Sequence, residues 1–358
     1  MCFRLQKFKQ VIMFCVCRCM SFTPRLRENA VEGFLSRKGI LSGQKVSHSV
    51  HPFLVLRMAP WFLSLSCCWN LLAASVGGVF MALTADTEGH VGPCRECPYH
   101  PGLGGLTRRA TSLAQLRKEQ PNLLLVDAGN SLIGSESLAS KGQVIVSAYN
   151  ALGYDAVNLC HRDFWLGKAG TLALLKGAKF AAISANLLDE ENGEPLLKPY
   201  IVKEIGGRRI AILGVAQAPA GIDFLPHLKE HLTGIRIQPP IEALAKWLPK
   251  AKAESDLIIL LYYGSWSGLQ PIQDQFGGDF TAILVGGIRP EQLPEDAKPP
   301  LIGTSNHGRH LVQVLITQGS GIRNQRPVKV TQLAIEPTLK PNVEMEKVLA
   351  KYSVAAER

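Results

Sequence analysis

The segment Thr84–Gly105, TADTEGHVGPCRECPYHPGLGG, gathers side chains that do chemistry: His90, Cys94, Cys97 and His100 follow one another at spacings of four, three and three. A Cys-x-x-Cys step lets two sulfurs meet across a tight turn, which suits a disulfide that opens and closes or one half of a zinc site. Gly92-Pro93 before the first cysteine and Pro98 after the second make the segment a loop. Haem attachment needs a histidine directly after the second cysteine, and Pro98 stands there. Spacing leaves three readings open: a structural disulfide between Cys94 and Cys97, a redox or nucleophilic thiol, and structural zinc.

The elements around this loop read as an α/β pattern. VFMAL, NLLLVD, DAVNL and KFAAISAN are apolar runs of strand type, and helical spacing falls between them in TRRATSLAQLRKE, in KGQVIVSAYNALG closed by Gly153, and around Leu172–Leu175. PYIVKEIGGRRIAILGVA predicts a hairpin at Gly206-Gly207. Further strands are predicted in DLIILLYYG, FTAILVGGI, HLVQVLITQ and PVKVTQLAI, with helices in IEALAKWLPKAKAES and NVEMEKVLAKYSV. The expected fold class is α/β, with layered mixed β-sheets flanked by helices, over residues 79–340 and a helical tail over 341–358. Loops at the carboxyl ends of strands collect functional residues in such sheets. The loops after the first three strands carry Cys94 and Cys97, then Asn130, then Cys160 and His161. Cys160 is therefore a third candidate thiol, with a buried hydrophobe as its plainer reading.

The net charge of +10 is concentrated at one end: residues 1–78 hold 10 Lys and Arg against 2 Asp and Glu, leaving 29 against 27 in the rest. A nearly neutral body with no basic stripe argues against a nucleic-acid partner. In RMAPWFLSLSCCWNLLAASVGGVF, Arg57 precedes an almost uncharged run with Ala73, Ala74 and Ser75 near its end. That pattern is a secretory signal over 58–78, or a membrane anchor if the segment is retained, since a span needs ~20 apolar residues. Residues 1–57 then read as an over-extended or disordered leader ahead of Met58, and the body as exported, periplasmic or anchored facing the periplasm.

Several blocks in order resemble the metallophosphoesterase domain of secreted 5′-nucleotidases, in the calcineurin-like superfamily. They are ADTEGH after the first strand, GGLTRRAT, DAGN after the second, ALGYDAVNLCHRDFWLG, the PYIVKE…IAILG hairpin, LIILLYYG and VGGIRP. The resemblance covers nearly all of 79–340 and implies the calcineurin-like fold. It also implies a dinuclear site, in which metal ions ~3.5–4 Å apart generate a hydroxide and clamp the displacement.

Residue by residue, that implied ligand set is poorly kept. Asp86 stands at the first carboxylate, but the histidine two places on is Glu88. Asp127 is kept in outline, while the bridging carboxylate falls on Asn130. The amide ligand becomes His161 and the catalytic histidine Arg162; the later histidines become Tyr262, Ile288 and Pro290. What remains is leftover polar residues at strand ends, or one divalent ion such as zinc or manganese held weakly by Asp86, Glu88, Asn130 and His161. The chain also resembles a group of nucleotidase-like exported proteins, some with selenocysteine, that carry a Cys-rich motif after the first strand. Three functions follow as expectations. The first is thiol redox or metal binding through Cys94 and Cys97 on a disused hydrolase scaffold, acting on a small molecule or redox partner. The others are a hydrolase with a rearranged metal set and a non-catalytic binding module.

Overall fold

Strand β1 (Val79–Thr84) sets the layering through its alternation. Val79, Met81 and Leu83 point into one core cluster, while Phe80 and Ala82 belong to another on the opposite face. The computed structural model describes residues 78–94, 101–220, 226–317 and 328–352. The chain divides into two compact units, Met1–Leu63 and Ser64–Arg358, and the described residues all belong to the second. The expected leader, the apolar segment through residue 77, Cys97 and His100 lie outside the described residues.

Along the chain β1 is followed by α1 (Leu106–Glu119), β2 (Leu124–Asp127), α2 (Gln143–Leu152), β3 (Ala156–Asn158), α3 (Gly167–Leu175), β4 (Ala181–Ile183) and β5 (Leu187–Asp189). The hairpin β6 (Tyr200–Ile205) and β7 (Arg208–Ala216) comes next, then α4 (Pro226–His231), β8 (Ile235–Ile237), α5 (Pro240–Glu254), β9 (Leu257–Tyr263) and α6 (Trp266–Phe276). Strands β10 (Ala282–Gly286), β11 (Leu301–Gly303), β12 (His310–Ile316) and β13 (Val328–Ala334) precede α7 (Val343–Ala350).

Two sheets form, in the orders β13-β12-β1-β2-β3-β4 and β11-β10-β9-β7-β6, and β5 pairs with β8 apart from them. In the first, β1 to β4 run parallel and β12 is antiparallel to both its neighbours. In the second, only the hairpin pair β6–β7 is antiparallel. The sheets meet through Met81, Leu83, Leu124 and Val126 on one side and Ile212, Ile259, Leu261 and Leu284 on the other. The alternate residues of the same strands face helices. Ala82 and Leu125 pack with Leu113 of α1, Ile145 and Tyr149 of α2, and Met345 and Leu349 of α7. Leu213, Leu260 and Ile283 pack with Leu244 of α5 and Leu269 of α6. Strands buried on both faces explain the continuous apolar runs in the sequence.

Local signals were accurate where a turn demanded glycine. Gly153 closes α2 at φ 70, and Gly206 and Gly207 turn the hairpin at φ 60 and 75. Helix α6 was not anticipated, because SWSGLQPIQDQF carries Gly268 and an internal Pro271. Its burial comes from Leu269 and Ile272 alone.

Candidate functional site

The loops after β1, β2, β3, β9, β10 and β11 meet at one end of the sheets, and four left-handed residues mark the meeting. Asp86, Glu88, Asn130 and His307 have φ of 49, 53, 60 and 56. Such conformations cost energy in non-glycine residues and persist only where surroundings enforce them. Here the enforcing bonds join loop to loop: Asp86 N–H donates to Gly129 O at 2.9 Å, Glu88 N–H to Asn130 O at 2.9 Å, and His307 N–H to Asp86 O at 2.6 Å. Gly134 permits the approach, since a Cβ there would lie 1.6 Å from Glu88 O.

Asp163, which the sequence reading did not single out, anchors two of these loops. Its Oδ1 accepts from Ser131 N–H and Leu132 N–H at 2.9 Å each. Its Oδ2 accepts from Asn130 N–H at 3.2 Å and Cys160 N–H at 3.0 Å. The carboxylate thereby satisfies four backbone donors that the turn leaves without strand partners.

The predicted site residues divide into separate settings. Asp86 accepts from Asn130 Nδ2 at 2.9 Å through Oδ1 and from Gly287 N–H at 2.7 Å through Oδ2. Burial raises its pKa, against these hydrogen bonds and the charge of Arg162. Asp127 lies behind this pair, fully buried, accepting from Thr84 and Ser131 hydroxyls at 2.7 Å, Tyr149 at 3.0 Å and Gly129 N–H at 2.9 Å. Burial lifts its pKa to about 6 despite those donors. Buried Arg109 completes the polar cluster through Thr87 and Tyr154. His161 is pushed down to about 4 by burial and then by Arg162, while a hydrogen bond with the Gln217 backbone pulls the other way.

Glu88 does not join Asp86. Its Oε2 lies 3.5 Å from His307 Nε2. The other ring nitrogen, Nδ1, lies 3.9 Å from Cys94 Sγ. His90 packs against His307 with ring centroids 4.3 Å apart and planes tilted by 43°, and bonds Glu136 through Nδ1 at 3.2 Å. Burial and His90 hold His307 below its ordinary pKa, with Glu88 opposing. Burial works against ionisation of Glu136, but His90 and the N–H groups of Gly92 and Val91 bring its pKa to about 2. His307 and Glu136 were missed because neither has a spacing that ties it to the Cys94 loop.

Cys94 and Cys160 are both free and buried, in different surroundings. Cys160 packs with Ala216 and Tyr263, and burial pushes its thiol well above the ordinary range. The assignment of the β9 position is corrected by one residue. Tyr262 points towards α6 and donates to Ser265 O at 2.9 Å, while Tyr263 faces Asp86, Asn130 and Arg162 across a cleft. Strand alternation decides this, because Leu257, Ile259 and Leu261 share the inter-sheet face with the position of Tyr263.

Two cavities share Glu88, Asn130 and Arg162. The larger, about 600 Å³, is walled by Ile133, Leu138 and Trp165, whose ring lies 4.5 Å from that of His231 at a tilt of 31°. The smaller, about 300 Å³, has Arg162, Arg289 and Arg309 in its lining with Asp86 and Tyr263. Among the described residues no group of three or more His, Cys, Asp or Glu side chains is arranged to hold a metal ion.

Comparison with known proteins gives this geometry its context. No protein-family profile matches the chain. The 5′-nucleotidase of Rattus norvegicus is 30% identical over 221 residues, which is 58% of this chain and 38% of that protein. The chain thus spans less than two fifths of that relative. Among solved structures, a calcineurin-like phosphoesterase from Bacillus subtilis matches with TM-score 0.61 and 22% identity, covering 77% of this chain and 96% of the other. A 5′-nucleotidase precursor from Thermus thermophilus matches with TM-score 0.62 and 21% identity, over 77% and 58% respectively.

Proposed function

Since the body of the chain is a metallophosphoesterase domain of the 5′-nucleotidase type, we propose that it is an exported protein that binds an anion in its inherited cleft without hydrolysing it. The observation that carries this reading is the state of Asp86. Both carboxylate oxygens accept hydrogen bonds from groups of the protein, one from Asn130 and one from Gly287. A dinuclear site needs that carboxylate and its neighbours for cations. The neighbours fit no better: Asn130 directs an N–H at the carboxylate, and Ile288 and Pro290 offer no ligand atoms. Arg162 lines the same cleft and acts electrostatically on Asp86, His161 and Tyr263.

A guanidinium lining a cleft favours a phosphate or carboxylate ligand. Arg289 and Arg309 on the lining add to that preference, while Asp86, Glu88 and Glu291 limit it. Export is supported by the charged start, apolar run and small residues of 57–75. No helix among the described residues is long and apolar enough to cross a membrane.

The test combines three measurements on the purified full chain. Elemental analysis after dialysis should find no stoichiometric transition metal. Adenosine monophosphate and p-nitrophenyl phosphate should not turn over with added manganese or zinc. Calorimetry should show saturable binding of inorganic phosphate, weakened about tenfold in Arg162→Ala, a loss of ~1.4 kcal/mol. Metal-dependent turnover, or no phosphate binding, would overturn the reading. N-terminal sequencing of the mature chain checks export, with cleavage expected near Ser75.

A further inference from the structure

The anion reading leaves one arrangement unused. Cys94, His307 and Glu88 stand in line, thiol to imidazole to carboxylate, with Sγ 3.9 Å from Nδ1 and Nε2 3.5 Å from Oε2. This is the order required of a nucleophile, its base and the group that orients the base. We propose that these three residues form a relay that makes Cys94 exchange with a low-molecular-weight disulfide.

Each member is held in place from outside the relay. Cys94 is pinned by its backbone, whose N–H donates to Leu103 O at 2.8 Å and whose carbonyl accepts from Gly102 N–H at 2.9 Å. His307 is fixed by the bond from its N–H to Asp86 O at 2.6 Å and by the tilted ring contact with His90. Glu88 is fixed by its N–H on Asn130 O at 2.9 Å. The carboxylate end of the relay, Glu88, lines the larger cavity beside His90, while Cys94 is buried at 9% exposure, so the disulfide must reach Sγ from that side.

The choice of a disulfide over an acyl substrate follows from the neighbouring donors. Acyl transfer needs N–H groups aimed at a developing oxyanion. Among the described residues before and at Cys94 these are engaged: Val91 and Gly92 N–H donate to Glu136 Oε2 at 2.6 and 2.7 Å, and Cys94 N–H is on Leu103 O. Disulfide exchange develops its negative charge on a leaving sulfur and needs no such hole.

In the step, the Cys94 proton passes to His307 Nδ1 and Sγ attacks one sulfur of the substrate. The S–S bond of the substrate breaks as the Sγ–S bond forms. The departing thiolate takes the proton back from Nδ1, leaving a mixed disulfide and one free thiol. A second small thiol reverses the step, so no other oxidant or reductant enters.

The test is a short pulse of oxidised glutathione on the full chain at pH 6, followed by acid quench and digestion with trypsin and Asp-N. That digest releases residues 86–95, in which Cys94 is the sole cysteine. An ordinary thiol of pKa ~8.5 is less than about 1% ionised at that pH. Cys94 in the protein should form the mixed disulfide at least about tenfold faster than the free 86–95 peptide; a rate equal to or below that of the peptide overturns the proposal. His307→Gly suits the left-handed backbone at φ 56. It should abolish the advantage, and added imidazole should restore it; a variant that keeps the wild-type rate also overturns the proposal. The outcome is independent of phosphate binding at Arg162.

Discussion

Asn130 and Asp86 are joined side chain to side chain at 2.9 Å, and both hold left-handed backbone, at φ 60 and 49. The amide does locally what a cation would do: it places positive hydrogen against a half-buried carboxylate.

Asn130→Asp should therefore destabilise the fold. Two carboxylates would face each other with only the exposed Arg162 to offset them, at a cost of roughly 1–3 kcal/mol. Thermal melts should show the loss at neutral pH, and added manganese or zinc should recover part of it. An unchanged melting temperature without metal would contradict the role assigned to the amide.

Asp163→Ala removes the acceptor for four N–H groups, those of Asn130, Ser131, Leu132 and Cys160. Leaving buried donors unpaired should cost about 3–5 kcal/mol. Urea denaturation of this variant should give one of the lowest midpoints of any single substitution at this end of the sheets.

Asp127 carries a prediction about pH. Its folded pKa of about 6 lies above the ordinary 3.8, so between these values the folded state holds a proton that the unfolded state releases. Stability from this group should therefore fall as pH rises from about 4 to about 6 and level off above, by on the order of 2–3 kcal/mol. Asp127→Asn should remove that slope, which denaturation at a series of pH values would reveal.

Gly134→Ala tests the loop approach. The added Cβ would meet Glu88 O at 1.6 Å, so backbone must move. A cost of roughly 1–3 kcal/mol is expected. Because Glu88 moves with it, the glutathione reaction of Cys94 should slow as well. Lowered melting with an unaltered Cys94 rate would separate the loop from the relay.

Most of the architecture was legible because apolar period and glycine turns act locally. Val79–Thr84, the Gly206-Gly207 hairpin and the cap at Gly153 all fall where the sequence places them. Helix α6 was not, since Pro271 and Gly268 erase the helical pattern while burial of Leu269 and Ile272 supplies the stability. At the site, Asp86 and Asn130 were found through the order of blocks. His307 was not, because it stands 219 positions after Glu88 and only the meeting of two loops relates them. Tyr263 was misplaced by one position that the alternation of β9 could have supplied.

The four-way hold of Asp163 has an evolutionary consequence. It ties the loop after β2 to the loop after β3 through one carboxylate on four backbone N–H groups, indifferent to what the neighbouring side chains are. Arg162, the adjoining residue, takes no part in those bonds and is exposed. A lineage could exchange the side chain offered at that position, and with it the chemistry, while the loops kept their course. The same fold can thus lose one trade and acquire another without passing through an unfolded ancestor.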